Sequence, residues 1–506
     1  MTAPEQDMQH SQAPRSASAP DIRKGHALEL RIEDLAFGGR AIAKVRGLVV
    51  FVDGALPGDL VQATVYRKRR QYAEARTDRI LEPSPHRIEP PCEHVPICGG
   101  CRFQDFAYPE QLRHKERQVA ECLAHLGHVP IEPRPAIGSP RLFHYRNKME
   151  YSFGRDREGR LTLGLHIRGS FDRTFDLHRC HIATPISSEI VCAVRDAASR
   201  EGLTAYDTRS HSGLLRYLVV REGIRSGQVM VNLVATEHHP AFDRIAASLR
   251  RDFPSVTGVL LNLTRRKAQV ATGEEERVLS GEPAILDTIG GITFEISSGS
   301  FFQTNTEQAE RLLATALEGL ALSGSETVLD VYSGTGAFTL PIARRTREAI
   351  GIESSAEAVR NAERNATRNG ITNARFWTGE AMEVLRDRLG LGGGIDRSRA
   401  GDDHPRIDAV LVDPPRAGLH PGVVSRLKVL GAPRLVYVSC NPSTLGRDLA
   451  MLCESRYRAL WVQPIDMFPH TPHIECVAAL ALAPSGRTHP STSVLPAAEP
   501  EAGSVS

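Results

Sequence analysis

Nowhere in this 506-residue sequence does an apolar run reach the ~18–20 residues that a membrane-crossing helix needs. The amino-terminal stretch lacks the apolar core that marks a secreted chain. Both absences point to the cytoplasm and to no membrane partner. A dominant sign of charge is missing too. With 62 basic and 60 acidic residues the net charge is +2, so no global field announces a polyanionic partner. Nine cysteines are an odd count in a long, unsecreted chain, which argues against a disulfide framework and for metal binding or catalysis. No internal repeat is visible.

What is present divides the chain. Its length suggests roughly three domains, and 41% hydrophobic residues supply a sizeable core. Residues 1–22 and 484–506 are rich in Pro, Ser and Ala without apolar periodicity and are expected to be disordered tails. Over 23–83, short β-like runs ("HALELRIEDLAF", "GRAIAKVRGLVVFVDGAL", "DLVQATVYRKR") are cut by Gly-Gly, Arg-Gly and Pro-Gly-Asp, the pattern of a small barrel. The basic run Arg67–Arg70 at a strand end suits nucleic-acid binding, although charge runs such as this one, Arg113/Lys115/Arg117 and Arg141/Arg146/Lys148 are ordinarily solvated faces.

Residues 84–285 read as an α+β central domain. It opens with prolines, then a helix over about 102–130 with the apolar stripe Leu112, Val119, Leu123 and Leu126. From 286 to 483 apolar strands alternate with amphipathic helices, the signature of a doubly wound parallel sheet. The Gly- and charge-rich stretch 391–405 is expected to be a surface loop.

The chemistry concentrates in that last domain. "TVLDVYSGTGAFTLPIA" is a strand, a Gly334-x-Gly336 turn and a helix, but Thr339 stands where a dinucleotide fingerprint wants its third glycine. S-adenosylmethionine, which has no phosphate, fits better. Its ribose hydroxyls need a carboxylate at the next strand's end, and Glu353 closes "EAIGIE" there. Asp330 would hold the Gly loop or the methionine ammonium. "AVLVDPPRAGL" ends a strand at Asp413-Pro414-Pro415, and Arg416 follows rather than the stacking aromatic of amine methyltransferases or the cysteine of RNA cytosine-5 methyltransferases. A cysteine comes one strand later instead, in "VYVSCNPSTLGRD", where Cys440 ends an apolar strand at the sheet edge on which α/β enzymes place their chemistry. A separate cluster, Cys92, Cys98 and Cys101, has Cys180 as its best fourth member; tetrahedral thiolates of this kind suit zinc or an iron–sulfur cluster. Cys122, Cys192, Cys453 and Cys476 read as packing.

Together with "SFFQTN" and "DMFPHTPHIECVAAL", these motifs resemble the series found in the SAM-dependent RNA uracil-5-methyltransferases, and "EDLAFGGRAIAKVRGLVVFVDGALPGD" resembles their TRAM domain, an OB-like barrel. The resemblance covers about residues 23–482. It implies a class I methyltransferase domain behind the barrel and the central domain. Cys440 is the implied nucleophile and Glu475 the base, with His470 and His473 the next candidates. Gln303, Tyr332, Gly334, Gly336, Glu353 and Asp413 are implied to line the SAM pocket, and Cys92, Cys98, Cys101 and Cys180 to hold a [4Fe-4S] cluster. Asp413 could also bind the uracil N3–H. Ala337 departs from the polar residue often found in relatives. The barrel resembles the 23S ribosomal RNA branch; the same chemistry on tRNA, or a non-catalytic RNA-binding iron–sulfur protein, are the alternatives. The chain is expected to act as a monomer on RNA.

Overall fold

A computed structural model of the chain describes residues 22–391 and 405–484. The expected tails and nearly all of the 391–405 loop lie outside the described residues. The chain forms two compact units that part after Ile88.

The first unit is a six-stranded sheet of β1 (Ala27–Arg31), β2 (Asp34–Leu35), β3 (Ala41–Val45), β4 (Leu48–Asp53), β5 (Leu60–Lys68) and β6 (Tyr72–Glu82). The strand order is β1-β5-β6-β4-β3-β2, with only β4 and β6 running parallel. Alternate residues bury themselves, among them Ala41 and Ala43, Val50 and Val52, Val61, Ala63 and Val65, as period-two strands over a core require. Charged residues dominate much of β6, which hides it from an apolar reading; Ala73 and Ala75 are its core contacts. The unit runs past residue 83 because buried Asp59 accepts the Ser84 amide at 2.8 Å and the Arg87 guanidinium at 2.7 Å.

The second unit begins with the cysteine loop and α1 (Tyr108–Glu121), which ends in a π-helical turn over Cys122–Leu126. The expected apolar stripe is only partly right. Val119 and Leu123 are buried, but Leu126 is exposed, and most of the buried face of α1 is polar: Gln111, His114, Lys115 and Gln118.

A central sheet follows, from β7 (Lys148–Arg155), β8 (Leu161–Gly164), β9 (Leu215–Glu222), β10 (Val229–Ala235), β11 (Val256–Leu263) and β12 (Glu275–Gly281), in the order β12-β11-β10-β9-β7-β8. α2 (Pro185–Arg200) and α3 (Ala241–Asp252) share its core. Position 286 falls within β13 (Ala284–Ile289), which forms a hairpin with β14 (Ile292–Ser297) ahead of α4 (Thr306–Leu320).

The last sheet has seven strands: β15 (Thr327–Val331), β16 (Glu348–Glu353), β17 (Ala374–Thr378), β18 (Ala409–Val412), β19 (Arg434–Ser439), β20 (Tyr457–Ile465) and β21 (Glu475–Leu482). Their order is β17-β16-β15-β18-β19-β21-β20. The first five in that order are parallel; β21 runs against β19, and β20 against β21. α4, α5 (Thr339–Ala343) and α6 (Ala356–Arg368) share the core on one face, and α7 (Ala381–Arg388), α8 (Pro421–Leu430) and α9 (Pro442–Cys453) share the other with α1. Both faces of the inner strands are covered, which is why they read as unbroken apolar runs.

One buried ion pair fastens α1 to the segment between β20 and β21. Lys115 Nζ lies 2.7 Å from Asp466 Oδ1, and neither side chain has any exposure. Tyr108 donates its hydroxyl to Asp466 Oδ2 at 3.0 Å, and Lys115 also reaches the Phe468 carbonyl at 3.2 Å. Removing one partner of such a pair strands the other charge. Lys115→Met is expected to destabilise the chain by about 3–5 kcal/mol, read as a lowered denaturant midpoint. Adding Asp466→Asn should restore part of that loss, and a double variant no better than the single would show the stability lies elsewhere.

Candidate active site

Cys440 follows the last residue of β19 and precedes Asn441, whose side chain caps α9 by accepting the Ser443 amide at 3.1 Å; Pro442 opens the helix. The thiol is thus held where a strand gives way to a helix. Ser439 pairs with Cys476 across β19 and β21, so the next opposed positions are Cys440 and Glu475. The Glu475 carboxyl group lies close enough to act on the Cys440 thiol electrostatically. A thiol and a carboxyl group face one another at the open end of the sheet.

Electrostatics at this edge are lopsided. Burial, then Glu475 and Asp413, push the Cys440 thiol up to about 11, with Arg416 opposing. Glu475 is held well above the usual carboxylate range by burial and by Asp413, again opposed by Arg416. Asp413 rises to about 7 through burial and the nearby Asp330, and Asp330 rises to about 7 chiefly through burial. Arg416 is therefore the main local counterweight to a group of acids. Its loop is held by α9: the Arg416 carbonyl accepts from Asn441 Nδ2 at 3.2 Å, and buried Asp448 accepts the Leu419 amide at 2.7 Å and the Tyr437 hydroxyl at 2.6 Å.

The neighbouring strand ends bring Asp330, Tyr332, Gly334, Gly336 and Glu353 to the same edge as Asp413. Tyr332 has φ 74°, a left-handed conformation that a bulky residue rarely adopts. The Tyr332 and Ser333 amides both donate to the Ile352 carbonyl at 2.9 Å, which fixes that bend. Gly334 has φ 55°, and a Cβ there would meet no atom within 4 Å, so the space above its backbone is open. Glu353 does not stand free: Oε2 accepts the Gly334 amide at 3.1 Å and Oε1 the Ser355 amide at 2.8 Å. Asp330 Oδ2 accepts from Thr339 at 2.5 Å, whereas its Oδ1 and the Ser333 hydroxyl are buried without partners. Gln303 lies between β14 and α4; its carbonyl accepts from Asn147 Nδ2 at 2.9 Å.

Of the two reserve histidines, His470 is structural in its contacts. It stacks on Phe143 at 4.5 Å, its amide donates to Gln111 at 2.9 Å, and its carbonyl takes the amides of Arg102 and Phe103. His473 is exposed near Arg416, Lys115, Arg146 and Arg102. Burial lowers the His470 ring to about 4; His473, whose ring is crowded by surrounding protein although its side chain reaches solvent, is lowered to about 4 by partial desolvation, with the cations adding to the effect.

The sequence reading passed over three parts of this arrangement. Lys115 belongs to a charge run of the kind that is ordinarily a solvated face. Asp466 and Asp448 lie inside motifs singled out for other residues and drew no assignment of their own. The usable signal was helical spacing, since Gln111, Lys115 and Gln118 share one face of α1 that turns out to be buried.

Cys92, Cys98, Cys101 and Cys180 are all buried, and each lies close enough to others of the four to act on them electrostatically. Backbone amides of His94 and His181 face the Cys92 sulfur, those of Ile182 and Ala183 the Cys180 sulfur, and the Gly100 amide lies 3.3 Å from Cys98 Sγ. Among the described residues, the three-ligand grouping whose donor atoms all lie within 4.8 Å is Glu93, His94 and His178, not three of these thiols. Nothing in the sequence had singled out that neighbouring trio.

Comparisons with known proteins show what the chain as a whole is similar to. The sequence profile of the family described as tRNA (Uracil-5-)-methyltransferase matches residues 271–482, and that of the TRAM domain matches residues 23–77. An uncharacterized RNA methyltransferase of Halalkalibacterium halodurans is 37% identical over 463 residues, 91% of this chain and 98% of that one. One from Chlorobaculum tepidum is 38% identical over 480 residues, 91% of this chain and 97% of its own. The crystal structure of Pyrococcus abyssi tRNA (uracil-54, C5)-methyltransferase in complex with S-adenosyl-L-homocysteine superposes with a TM-score of 0.71 at 29% identity, covering 90% of this chain and all of that one. The chain, with its thiol and carboxyl group opposed at the sheet edge and its TRAM domain, belongs to the RNA uracil-5-methyltransferase family.

Proposed function

We propose that this enzyme methylates carbon 5 of a uridine in ribosomal RNA, with Cys440 as nucleophile and Glu475 as base. The observation that carries the reading is the proximity of Cys440, one residue past β19, to Glu475, the first residue of β21, which follows from the Ser439–Cys476 pairing and from the push of Glu475 on the thiol. Carbon 5 of uracil is a weak nucleophile. Addition of the Cys440 thiolate to carbon 6 moves the ring's π electrons onto carbon 5 and O4 as an enolate. S-adenosylmethionine, when bound, supplies the electrophilic methyl group that carbon 5 takes up. Glu475, as carboxylate, then removes the proton from carbon 5, the ring double bond re-forms, and the bond from carbon 6 to Cys440 Sγ breaks. An ionised Glu475 at this site is a stronger base than an exposed carboxylate, because burial and Asp413 raise its proton affinity. Asp413 can accept the uracil N3–H, a hydrogen that cytosine lacks. The target base must leave its stack to reach this edge.

The residues fit a cationic cosubstrate. Open space over Gly334, the unpartnered Asp330 Oδ1 and Ser333 hydroxyl, and the crowd of acids all favour a ligand with a positive centre and hydrogen-bonding groups. Gln303, Tyr332, Gly334, Gly336, Glu353 and Asp413 would hold it.

Cys92, Cys98, Cys101 and Cys180 fit a [4Fe-4S] cluster. Four buried sulfurs, three of them facing backbone amides and the fourth, that of Cys101, facing the Gln104 side chain, suit the ligand set of such a centre. The cluster would tie the 92–101 loop to the segment before α2.

The ribosomal assignment rests on the barrel, with Arg69 and Arg70 exposed at its β5–β6 turn. A tRNA target is the second reading. The tRNA methyltransferase of P. abyssi covers 90% of this chain, a share that must reach into the barrel.

Mapping 5-methyluridine in ribosomal and transfer RNA from a strain without the gene separates the two. Loss of one ribosomal site is expected; loss confined to tRNA would overturn the ribosomal assignment.

The two residues at the edge should fail differently. Cys440→Ala should abolish both methylation and any covalent RNA adduct. Glu475→Gln should slow the last proton transfer by about 10²–10⁴-fold and accumulate a methylated adduct, seen as a slow band on a denaturing gel. No adduct from Glu475→Gln under any condition would assign the base elsewhere.

Anaerobically purified protein should contain about four irons and four sulfides per chain, and Cys180→Ala should lose iron. Stoichiometric zinc without sulfide would rule the cluster out.

A further inference from the structure

Apart from the Cys440 edge, a cavity of about 300 Å³ opens beside the central sheet. Its walls are the end of β7, the 166–174 loop and residues flanking the start of β9. Arg216, 4% exposed, is fixed by the carbonyls of Arg266 and Ala268, and its guanidinium carbon stands 4.5 Å from the ring centre of Tyr206. Phe171 is 69% exposed. Arg155 and Arg173 are exposed as well, and neither has an ion-pair partner among the described residues, whereas Arg209 is tied to Asp172. His166 adds an unused group: Nε2 lies 3.1 Å from the Ser152 hydroxyl, but the buried Nδ1 has no partner.

Each of these features calls for a different part of one ligand. Exposed aromatic surface beside a fixed arginine–tyrosine stack is a platform for a flat ring. Unpaired arginines offer charge to a phosphate. A buried, unpartnered imidazole nitrogen offers a hydrogen bond to a polar ring edge. A cavity of this size admits one nucleotide and no duplex.

The cavity is also linked to the catalytic edge through backbone. Arg168, in the 166–174 loop, donates to the carbonyls of Val95, Cys98 and Cys101 at 3.1, 3.3 and 3.1 Å. The next two amides, of Arg102 and Phe103, donate to the carbonyl of His470 in the loop that leads to Glu475. The cavity's wall and the catalytic loop therefore hang on the same cysteine segment.

We propose that this cavity holds one unpaired nucleotide of the RNA substrate, its base against Phe171 and the Arg216–Tyr206 stack and its phosphate at Arg155 and Arg173. The proposal rests on the reading of RNA as substrate and adds a second point of grip beyond the target base. A single-stranded nucleotide held there would fix the direction in which the strand leaves the active site.

The test uses the full chain and a fluorescein-labelled oligouridylate, followed by anisotropy across a salt series. A Phe171→Ala/Arg173→Ala variant changes only exposed side chains, and Tyr206→Leu tests the stack separately. Removing a base-stacking side chain should weaken binding about ten- to hundredfold, and losing one phosphate contact should flatten the log–log salt slope by about 0.7. Affinity for S-adenosylmethionine should stay unchanged in both variants. Unchanged RNA affinity and slope in both, or no oligouridylate binding by the wild-type chain, would overturn the proposal while leaving methylation at Cys440 intact. Full competition by free uridine monophosphate would also overturn it, in favour of a free-nucleotide site. Loss of affinity in the variants of a chain that methylates no RNA would support the cavity and defeat the methylation reading instead.

Discussion

The Lys115–Asp466 pair is the constraint on which the catalytic edge depends. Two fully buried charges are tolerable only when each has close partners, because taking an ion out of water costs several kcal/mol after relaxation. Asp466 meets that condition by accepting from Lys115, Tyr108 and the Phe468 amide. The requirement fixes where the segment after β20 begins. Gln308 and Asn305 hold the carbonyls of Asp466 and Met467, Tyr145 that of Pro469, and the Arg102 and Phe103 amides that of His470. A loop secured from so many directions can deliver Glu475 to β21 opposite Cys440 without relying on its own sequence for stiffness.

The edge thus built is electrostatically unbalanced. Four acidic groups, Asp330, Asp413, Glu475 and the Cys440 thiol, are each raised by burial, three of them further by another of the four. Arg416 offsets this at Cys440 and Glu475 but is an exposed residue on a loop held by Asp448, Asn441 and Thr444. Such a site is complementary to a positive charge, since a cation among the acids lets them ionise. The same crowding keeps the free thiol protonated, so the nucleophile that the proposed mechanism needs would form only once ligands alter the field.

The cysteine segment before α1 connects what the sheets separate. Its carbonyls anchor Arg168 and so the wall of the central cavity, and the amides after Cys101 anchor His470. A cluster on Cys92, Cys98, Cys101 and Cys180 would cross-link this segment to the one entering α2. Such a cross-link would hold in register the two surfaces that the proposals above assign to RNA.

Local pattern was enough for much of this. Strands buried on both faces must be apolar throughout, so β15, β16, β18 and β19 were readable. A turn that needs open backbone must use glycine, so Gly334 and Gly336 stood out. A cysteine at a strand end before an Asn-Pro helix start placed Cys440. These features come from interactions within a few residues, and the sequence by itself determined them. Other features were decided by partners distant in the chain. Lys115 looked like one more surface base until Asp466 was found beside it, and Leu126 looked like core until the helix turned out to bury its polar face. Cys440 and Glu475 face each other only because β21 inserts against β19 before β20 completes the sheet. The strain at Tyr332 arises from two amides sharing the Ile352 carbonyl across β15 and β16. Pairings between strands and buried charges are settled by what else occupies the space, and only the tertiary structure decides that.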